Sequence, residues 1–210
     1  MAEKSERTRE YILDQAYKVF AQKGYKQVTM KDICEAAGLS RGGLYSHFPG
    51  TKEIFEAVLA RITGVEENDF AREIRNGTPA AVILEGALEA MEREMDHPEE
   101  SLGMALYEYA EAVDPAVLES LNRKAEERWS ALISYGIKTG EFRKVDVEEL
   151  VNVILYSYQG IRMWSSIISL KREVPRSVIR HIRKELVGMR QTMREQTEVN
   201  EHDQTCETHA

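Results

Sequence analysis

The sequence predicts an all-α protein in which a small N-terminal three-helix bundle precedes a larger helical body, with about nine helices in all. Three observations predict this fold class. Apolar residues recur at the spacing of one helix face along most of the chain, and strand-like alternation is almost absent. Only 5 prolines occur among 210 residues, and they stand where helices begin or turns occur. The mixture of 42% hydrophobic and 30% charged residues is typical of a globular protein.

Three predicted helices are compressed into the first fifty residues. An apolar stripe predicts a first helix that stops at Gly24, where a glycine can take the left-handed conformation of a helix end. Thr29 can cap a second helix, which Gly38 ends. Ser40 can cap a third helix that continues to about His47.

The body repeats this pattern of caps and prolines. Thr78-Pro79 and Asp114-Pro115 each place a proline at a helix start, where its missing N–H costs no hydrogen bond. Asp146 can cap a further helix. The predicted body helices are 51–76, 78–97, 98–113, 115–139, 146–170 and 175–196.

The charge distribution divides the chain. Residues 1–53 carry nine Lys/Arg against seven Asp/Glu, whereas residues 54–210 are strongly acidic within a total of −8. A slightly basic head on an acidic body favours contact with phosphates at one end only. We therefore expect a DNA-binding domain at 1–53, a regulatory and dimerisation domain at 54–197, a long helix 51–76 that links them, and a disordered tail at 198–210.

Several classes of function find no support in the sequence. The longest apolar stretch, residues 150–170, is interrupted by Asn152, Gln159 and Arg162, so no membrane span is expected. No signal peptide or disulfide framework is visible, which predicts a cytoplasmic location. Glu94 and His97 have the spacing of a di-iron ligand pair, but the second copy that such a site needs is missing. We expect no metal, no cofactor and no enzymatic activity.

The segment around residues 36–40 has the pattern of a helix-turn-helix. Gly38 supplies the positive φ of the tight turn, and Ser40 caps a helix whose first residues would lie nearest the bases of a major groove. Arg41 can donate two hydrogen bonds to guanine, and Lys52 can attract phosphate at the next helix start. The predicted DNA-binding residues are Thr29, Ser40, Arg41, Gly42, Gly43, Tyr45, His47 and Lys52.

The same segment resembles the DNA-binding domain of the TetR family of bacterial repressors. The matching residues are Ile12 to Ala16, Phe20, Gly24-Tyr25, Thr29-Met30, Asp32-Ile33, Ala36 to Ser40, Gly42, Leu44-Tyr45, His47-Phe48 and Lys52-Glu53. They cover about a quarter of the chain at many fixed spacings. The resemblance implies a DNA-binding head followed by a variable sensor domain, whose last two helices form the dimer.

The helix predicted at 146–170 is apolar on nearly every side. A helix buried against its own domain and against a partner subunit has this pattern. The final helix carries an apolar stripe that can complete a four-helix interface between two subunits. The predicted interface residues are Ile154, Ile161, Ile168, Ile179, Ile182, Leu186 and Met189.

Methionine and aromatic residues concentrate in the middle of the body. Such side chains are common in ordinary cores, and as a group they also suit an adaptable apolar cavity. We expect a pocket among helices 51–76, 78–97, 98–113 and 115–139, with two carboxylates that favour a neutral or cationic apolar ligand. Its predicted residues are Met91, Met95, Met104, Tyr107, Glu108, Glu111, Trp129, Gln159 and Met163.

The sequence thus predicts a homodimeric regulator that binds a palindromic operator in double-stranded DNA and responds to a small ligand. Two alternatives stay open at this point. One is a DNA-binding regulator without a small-molecule ligand. The other is a helical enzyme or carrier whose head does not bind DNA.

Overall fold

The structure, a computed structural model, describes the backbone of residues 2–66 and 69–187 and the side chains of residues 5–63 and 70–187. The described residues form ten helical segments and no strand. The segments are α1 (Ala2–Lys23), α2 (Met30–Ala37), α3 (Arg41–Tyr45), α4 (Thr51–Glu66), α5 (Asp69–Arg75), α6 (Ala80–Asp96), α7 (Gly103–Ala112), α8 (Ala116–Thr139), α9 (Val147–Ser165) and α10 (Glu173–Val187), with a 3-10 turn at Pro98–Glu100.

The all-α fold with an N-terminal helix-turn-helix is confirmed. The predicted linking helix 51–76 is helical at 51–66 and again at 69–75. The predicted end of the last helix, residues 188–196, and the predicted tail at 198–210 lie outside the described residues.

Two predicted helix boundaries were wrong. Pro98 opens a 3-10 turn, and the extended backbone of Ser101 (φ −110°, ψ 152°) separates that turn from α7. The helix predicted to reach residue 170 ends at Ser165. There the hydroxyl of Ser166 donates to the carbonyl of Arg162 at 2.9 Å, a local bond of the kind that competes with the helical hydrogen bonds.

The head has a hydrophobic core built around fully buried side chains of α1, α2, α3 and α4. Ile12, Phe20, Leu44 and Phe55 have no exposed surface. The cluster also includes Leu102, Ala105 and Tyr109, at the entrance to and within α7. The predicted domain boundary at residue 53 remains a prediction, and the packing shows that α4 and α7 both contribute side chains to the head core.

The body has a second core between α6, α8, α9 and α10. Its fully buried members include Leu84, Leu88, Leu132, Ile154 and Ile182. Each of these helices turns one apolar stripe inward, so their packing buries the stripes against one another. None of the described helices combines the length and the apolar character needed to cross a bilayer.

Candidate nucleic-acid interface

The start of α2 is held by a complete capping box. Thr29 has the extended backbone of an N-cap residue, and its hydroxyl oxygen accepts from the backbone N–H of Asp32 at 3.3 Å. The carboxylate of Asp32 accepts in return from the backbone N–H of Thr29 at 2.8 Å. Lys23, at the end of α1, donates to the same carboxylate at 2.6 Å. These bonds, from Lys23 above all and then from Thr29, hold the pKa of Asp32 far below its ordinary value.

The turn between α2 and α3 depends on Gly38. Its backbone is left-handed, with φ 64° and ψ 29°, a conformation that side chains with a Cβ rarely adopt. This turn lets the N–H of Leu39 reach the carbonyl of Cys34 at 3.0 Å, which closes the end of α2. The chain then enters α3 in a new direction, as a helix-turn-helix requires.

The short helix α3 is held by hydrogen bonds at both ends and by one buried side chain. The hydroxyl of Ser40 accepts from the N–H of Gly43 at 3.1 Å, and the hydroxyl of Ser46 donates to the carbonyl of Gly43 at 2.7 Å. Leu44 is completely buried and anchors the helix in the head core. α3 ends at Tyr45, two residues before the predicted end.

None of the predicted DNA-binding residues is buried. Thr29, Ser40, Arg41, Gly42, Tyr45 and Lys52 are exposed, whereas Gly43 and His47 are partly exposed. Tyr45 leaves 53% of its surface in solvent, and Lys52 lies 3.8 Å from Glu56 in an exposed ion pair. Because an ion pair of this kind is weak, the Lys52 ammonium can exchange it for another anion.

The structure places most of the predicted dimer residues within a single subunit. Ile154, Ile161 and Ile179 are buried in the body core of their own chain, together with Ile182 and Leu186. Side chains that pack inside one subunit leave little surface for a second subunit, and the role of these five residues at an interface stays a prediction. Ile168 is 46% exposed, and Met189 lies outside the described residues.

A different set of apolar residues on α9 faces solvent. Most of them are three or seven residues apart, one or two helical turns, which places them along one side of the helix, opposite the buried stripe. The sequence contained a signal for this face, since a helix that is apolar all round has two sides to cover. The exposed residues are Val153, Tyr156, Met163 and Trp164, followed just after the helix by Ile167; we call them the α9 face.

The nine predicted pocket residues do not lie together. Met91, Met95 and Trp129 belong to the body core, and Trp129 contacts Phe70 edge-on with ring centres 5.7 Å apart. Met104 is partly buried on α7, whereas Tyr107 on α7 and Gln159 and Met163 on α9 are exposed. These residues therefore lie in different surroundings within the subunit, and their role in ligand binding stays a prediction.

The two carboxylates predicted to favour a cation have another partner. Glu108 accepts from the backbone N–H of Lys26 at 2.8 Å, and Glu111 accepts from the Lys26 ammonium at 2.6 Å. Both carboxylates therefore bind the turn between α1 and α2. Sequence reasoning missed Lys26, because 82 residues separate it from Glu108 and no local pattern links the two.

A groove opens between α8 and α9. Its volume is about 420 Å³. This volume falls in the range of small-molecule sites, and two carboxylates in its lining make it acidic. The lining residues are Glu126, Ser130, Val147, Glu148, Val151 and Asn152.

Comparison with known proteins identifies the head. Residues 12–58 match the bacterial regulatory proteins of the tetR family. The chain is 28% identical over 141 residues to the HTH-type transcriptional repressor KstR2 of Rhodococcus jostii, a match that covers 65% of this chain and 69% of that protein. It is 27% identical over 151 residues to the HTH-type transcriptional regulator RutR of Escherichia coli K12, which covers 70% of both. Residues 12–58 of this chain therefore form a DNA-binding domain of the tetR family.

Solved structures extend the likeness to the body. A transcriptional regulator from Saccharomonospora viridis, solved in complex with choline, superimposes with a TM-score of 0.67 at 21% identity, over 87% of this chain and 98% of that one. At this identity the match shows a shared fold. The tetR-family head and the curated relatives make this chain a DNA-binding transcriptional regulator, and those relatives are regulators rather than enzymes.

Proposed function

We propose that this chain is a ligand-responsive repressor that binds a palindromic operator in double-stranded DNA as a homodimer. The observation that carries the proposal is the exposed face of α3, where Arg41, Gly42 and Tyr45 meet solvent while Leu44 anchors the helix. A capped helix with polar residues outward suits insertion into a major groove. Such a repressor acts in the cytoplasm, where a bacterial chromosome lies.

In this proposal α3 reads bases through its first turn. The Arg41 guanidinium donates two hydrogen bonds to O6 and N7 of a guanine. No atom lies within 4 Å of the position that a Cβ on Gly42 would take, so the DNA can approach the backbone closely there. Tyr45 and Lys52 contact phosphates of the DNA backbone, and these contacts fix the position of α3 in the groove.

The α9 face supports a second copy of this chain as the dimer partner. Tyr156, Trp164 and Ile167 leave 64%, 59% and 67% of their surfaces exposed in a single subunit. Large apolar side chains grouped along one helix mark an interface, because their burial between two subunits removes them from water. The two-fold symmetry of such a dimer brings one α9 face against the other.

Gly160 lies between Tyr156 and Met163, in the middle of the α9 face. A glycine inside a helix costs about 1 kcal/mol relative to alanine. No atom of the subunit lies within 4 Å of the place where its Cβ would be, so packing within the subunit does not require a glycine. We infer that the partner's α9 crosses at Gly160, where the absence of a side chain lets the two backbones approach.

A dimer of this kind recognises two half-sites related by two-fold symmetry. Their centres would lie about 34–36 Å apart, one turn of the double helix, or somewhat more if the heads are set further apart. A ligand can bind more tightly to the dimer when its heads have one separation than when they have another. It then changes the affinity for the operator by a factor set by this difference in ligand affinity.

The groove between α8 and α9 supports a small organic cation as the ligand. Glu126 and Glu148 give it negative charge, and Val147 and Val151 give it apolar surface. A quaternary ammonium group can bind to such a surface, because its methyl groups are apolar while its charge is positive. The choline complex of the S. viridis regulator, which shares this fold, also favours this class of ligand.

Selection of DNA from a random duplex library tests the DNA-binding proposal. The wild-type chain should enrich a palindromic sequence and bind it with an affinity that falls steeply as salt rises. Arg41→Ala is the matched control, since it changes one exposed side chain and leaves the capping bonds of α3 in place. Enrichment of no sequence, or equal binding to selected and random duplexes, would contradict the proposal.

Titration with choline chloride tests the ligand proposal. Thermal stability should rise with choline concentration in the wild type, by about 2.7 kcal/mol at a hundredfold excess over Kd. The double variant Glu126→Gln, Glu148→Gln preserves side-chain shape and should lose the effect. An equal gain in thermal stability in both proteins would show that choline does not bind in this groove. If neither choline nor larger quaternary amines change the thermal stability, the ligand is not a small organic cation.

A further inference from the structure

We propose that Glu108, on α7 of the body, is a positioning residue for operator binding. It sets the orientation of the DNA-binding head by holding the turn between α1 and α2. This inference rests on the proposed binding of a palindromic operator by a dimer. It adds a residue that touches no DNA and acts through Lys26.

The contact is made to the backbone of the head. Oε2 of Glu108 accepts from the N–H of Lys26 at 2.8 Å. Lys26 stands three residues before Thr29, the N-cap of α2, so the bond holds the main chain directly at the entrance to the helix-turn-helix. A bond to the backbone defines the position of the turn more closely than a contact between two flexible side chains.

Gly24 makes this approach possible. Its φ of 76° is a left-handed conformation, and a Cβ on this residue would lie 2.6 Å from Oε2 of Glu108. The glycine therefore meets two requirements, the turn at the end of α1 and space for the carboxylate. The carboxylate fits into the turn itself and does not merely lie beside it.

α7 is firmly placed at the head by the residue that follows Glu108. The Tyr109 hydroxyl donates to Glu56 of α4 at 2.7 Å, and its ring lies 5.0 Å from the ring of Tyr25. Leu102 and Ala105 also pack in the head core. Glu108 thus projects from a helix that cannot shift without disturbing the head core.

α7 is also attached to the helix that carries the α9 face. Arg162 of α9 donates to the hydroxyl of Ser101 at 3.3 Å and lies 3.2 Å from the carboxylate of Glu94 on α6. Its guanidinium packs over Gly103, the first residue of α7. Contacts therefore run from the proposed dimer helix through α7 to Lys26, and among them Glu108 binds the backbone next to the DNA-binding motif.

Head orientation matters because both heads must reach half-sites at a fixed separation. If the turn at Lys26 is released, each head samples more orientations, and binding must restrict them again at a cost in free energy. The ion pair between Lys26 and Glu111 cannot replace the lost bond. Its side chains are 49% and 59% exposed, and ion pairs of that kind contribute little.

The test compares Glu108→Ala, Glu108→Gln and Glu111→Ala on a set of duplexes. The set starts from a palindrome selected by the wild-type protein and moves its half-sites apart or together by one base pair at a time. Wild type should show a sharp optimum of spacing. Glu108→Ala should bind the best duplex about fivefold more weakly or worse and lose much of its preference between spacings. Glu108→Gln retains an oxygen that can accept from Lys26 and should stay within about twofold of wild type, as should Glu111→Ala.

Amide hydrogen exchange at Lys26 gives a second readout, which a general loss of stability would not reproduce. Exchange at this N–H should accelerate in Glu108→Ala while the amides of α2 and α6 exchange as in wild type. Glu111→Ala should leave it unchanged. If Glu108→Ala retains the sharp spacing optimum although exchange at Lys26 has accelerated, the positioning role is wrong. If the wild-type protein itself selects no palindrome, the proposed function has failed instead.

Discussion

The hydroxyl of Tyr109 on α7 donates a 2.7 Å hydrogen bond to Oε1 of Glu56 on α4. The Tyr109 side chain is 4% exposed, and its ring lies 5.0 Å from that of Tyr25 and 5.1 Å from that of Phe55. A neutral phenol is therefore enclosed where the body meets the head. Burial first, and then the hydrogen bond to the Glu56 carboxylate, raise the pKa of Tyr109 well above its ordinary value of 10.0.

This pKa predicts that stability falls in alkaline solution. The folded protein keeps the phenol proton at a pH where the unfolded chain has lost it, so the contribution is complete below pH 10 and declines above it. The pKa of Tyr25 is also raised, by burial and by Glu56 and Glu53, and acts in the same direction. Urea unfolding between about pH 8 and 11 measures the decline.

Tyr109→Phe is the variant that isolates this contribution. It should lower the free energy of unfolding at neutral pH by about 1 kcal/mol, since one hydrogen bond is lost while the ring stays buried. Above pH 10 its stability should fall less steeply than that of wild type. Parallel pH curves for the two proteins would contradict the raised pKa of Tyr109.

Arg41 and Lys52 should affect operator binding in different ways. Arg41→Ala should weaken binding by about 1–3 kcal/mol and relax the preference at one base pair, because the bidentate contact to guanine is lost. Lys52→Ala should weaken binding evenly across sequences and reduce the salt slope by about 0.9. Equilibrium binding at several salt concentrations distinguishes the two. Unchanged affinity in a double Tyr45→Phe, Lys52→Ala variant would remove the proposed phosphate contacts.

A charge on the α9 face should separate the subunits without unfolding them. Trp164→Glu changes a side chain that is 59% exposed in one subunit, so it should yield helical monomers with greatly weakened operator binding. Leu186→Glu is the contrasting variant. Leu186 is fully buried in its own subunit, and a carboxylate there should unfold the body. Sedimentation measures the oligomeric state of both variants, and circular dichroism measures their helical content. A Trp164→Glu protein that remains dimeric at micromolar concentration would exclude the α9 face as the dimer interface.

Gly160 offers a test in which subunit stability and dimer stability change in opposite directions. Gly160→Leu should favour helix formation in the isolated subunit by up to about 1 kcal/mol, since glycine is a poor helix residue and no neighbour occupies the space. The same side chain should keep the two α9 helices apart and raise the dimer dissociation constant. Val82→Leu, at an exposed position on α6, is the control for added apolar bulk. Tighter dimerisation of Gly160→Leu would place the crossing elsewhere.

Much of the fold could be predicted because helix ends are signalled locally. The capping oxygens of Thr29, Ser40 and Asp146 each accept from an N–H three residues later, within the reach of sequence reasoning. The two boundary errors arose from contacts that sequence reasoning missed. Ser101 receives a hydrogen bond from Arg162, 61 residues away, and Ser166 bonds to a carbonyl of the preceding turn.

The DNA-binding motif was accessible from the sequence for the same reason. Gly38, Ser40 and the exposed residues of α3 lie within ten positions, and their roles depend on the local turn. The pocket and interface residues depend instead on which helices meet. Glu108 and Glu111 have the sequence context of pocket residues, yet their carboxylates bind Lys26.

The sequence by itself determined the helices, their caps and the turn that presents α3, because each depends on hydrogen bonds and periodicity within a few residues. Only the tertiary structure decided which side of each helix is buried. The stripe of Ile179, Ile182 and Leu186 could have faced a partner or the subunit's own core, and its burial against α6 and α9 selects the core. That choice leaves the α9 face exposed, since a helix that is apolar all round can pack only one side against its own domain.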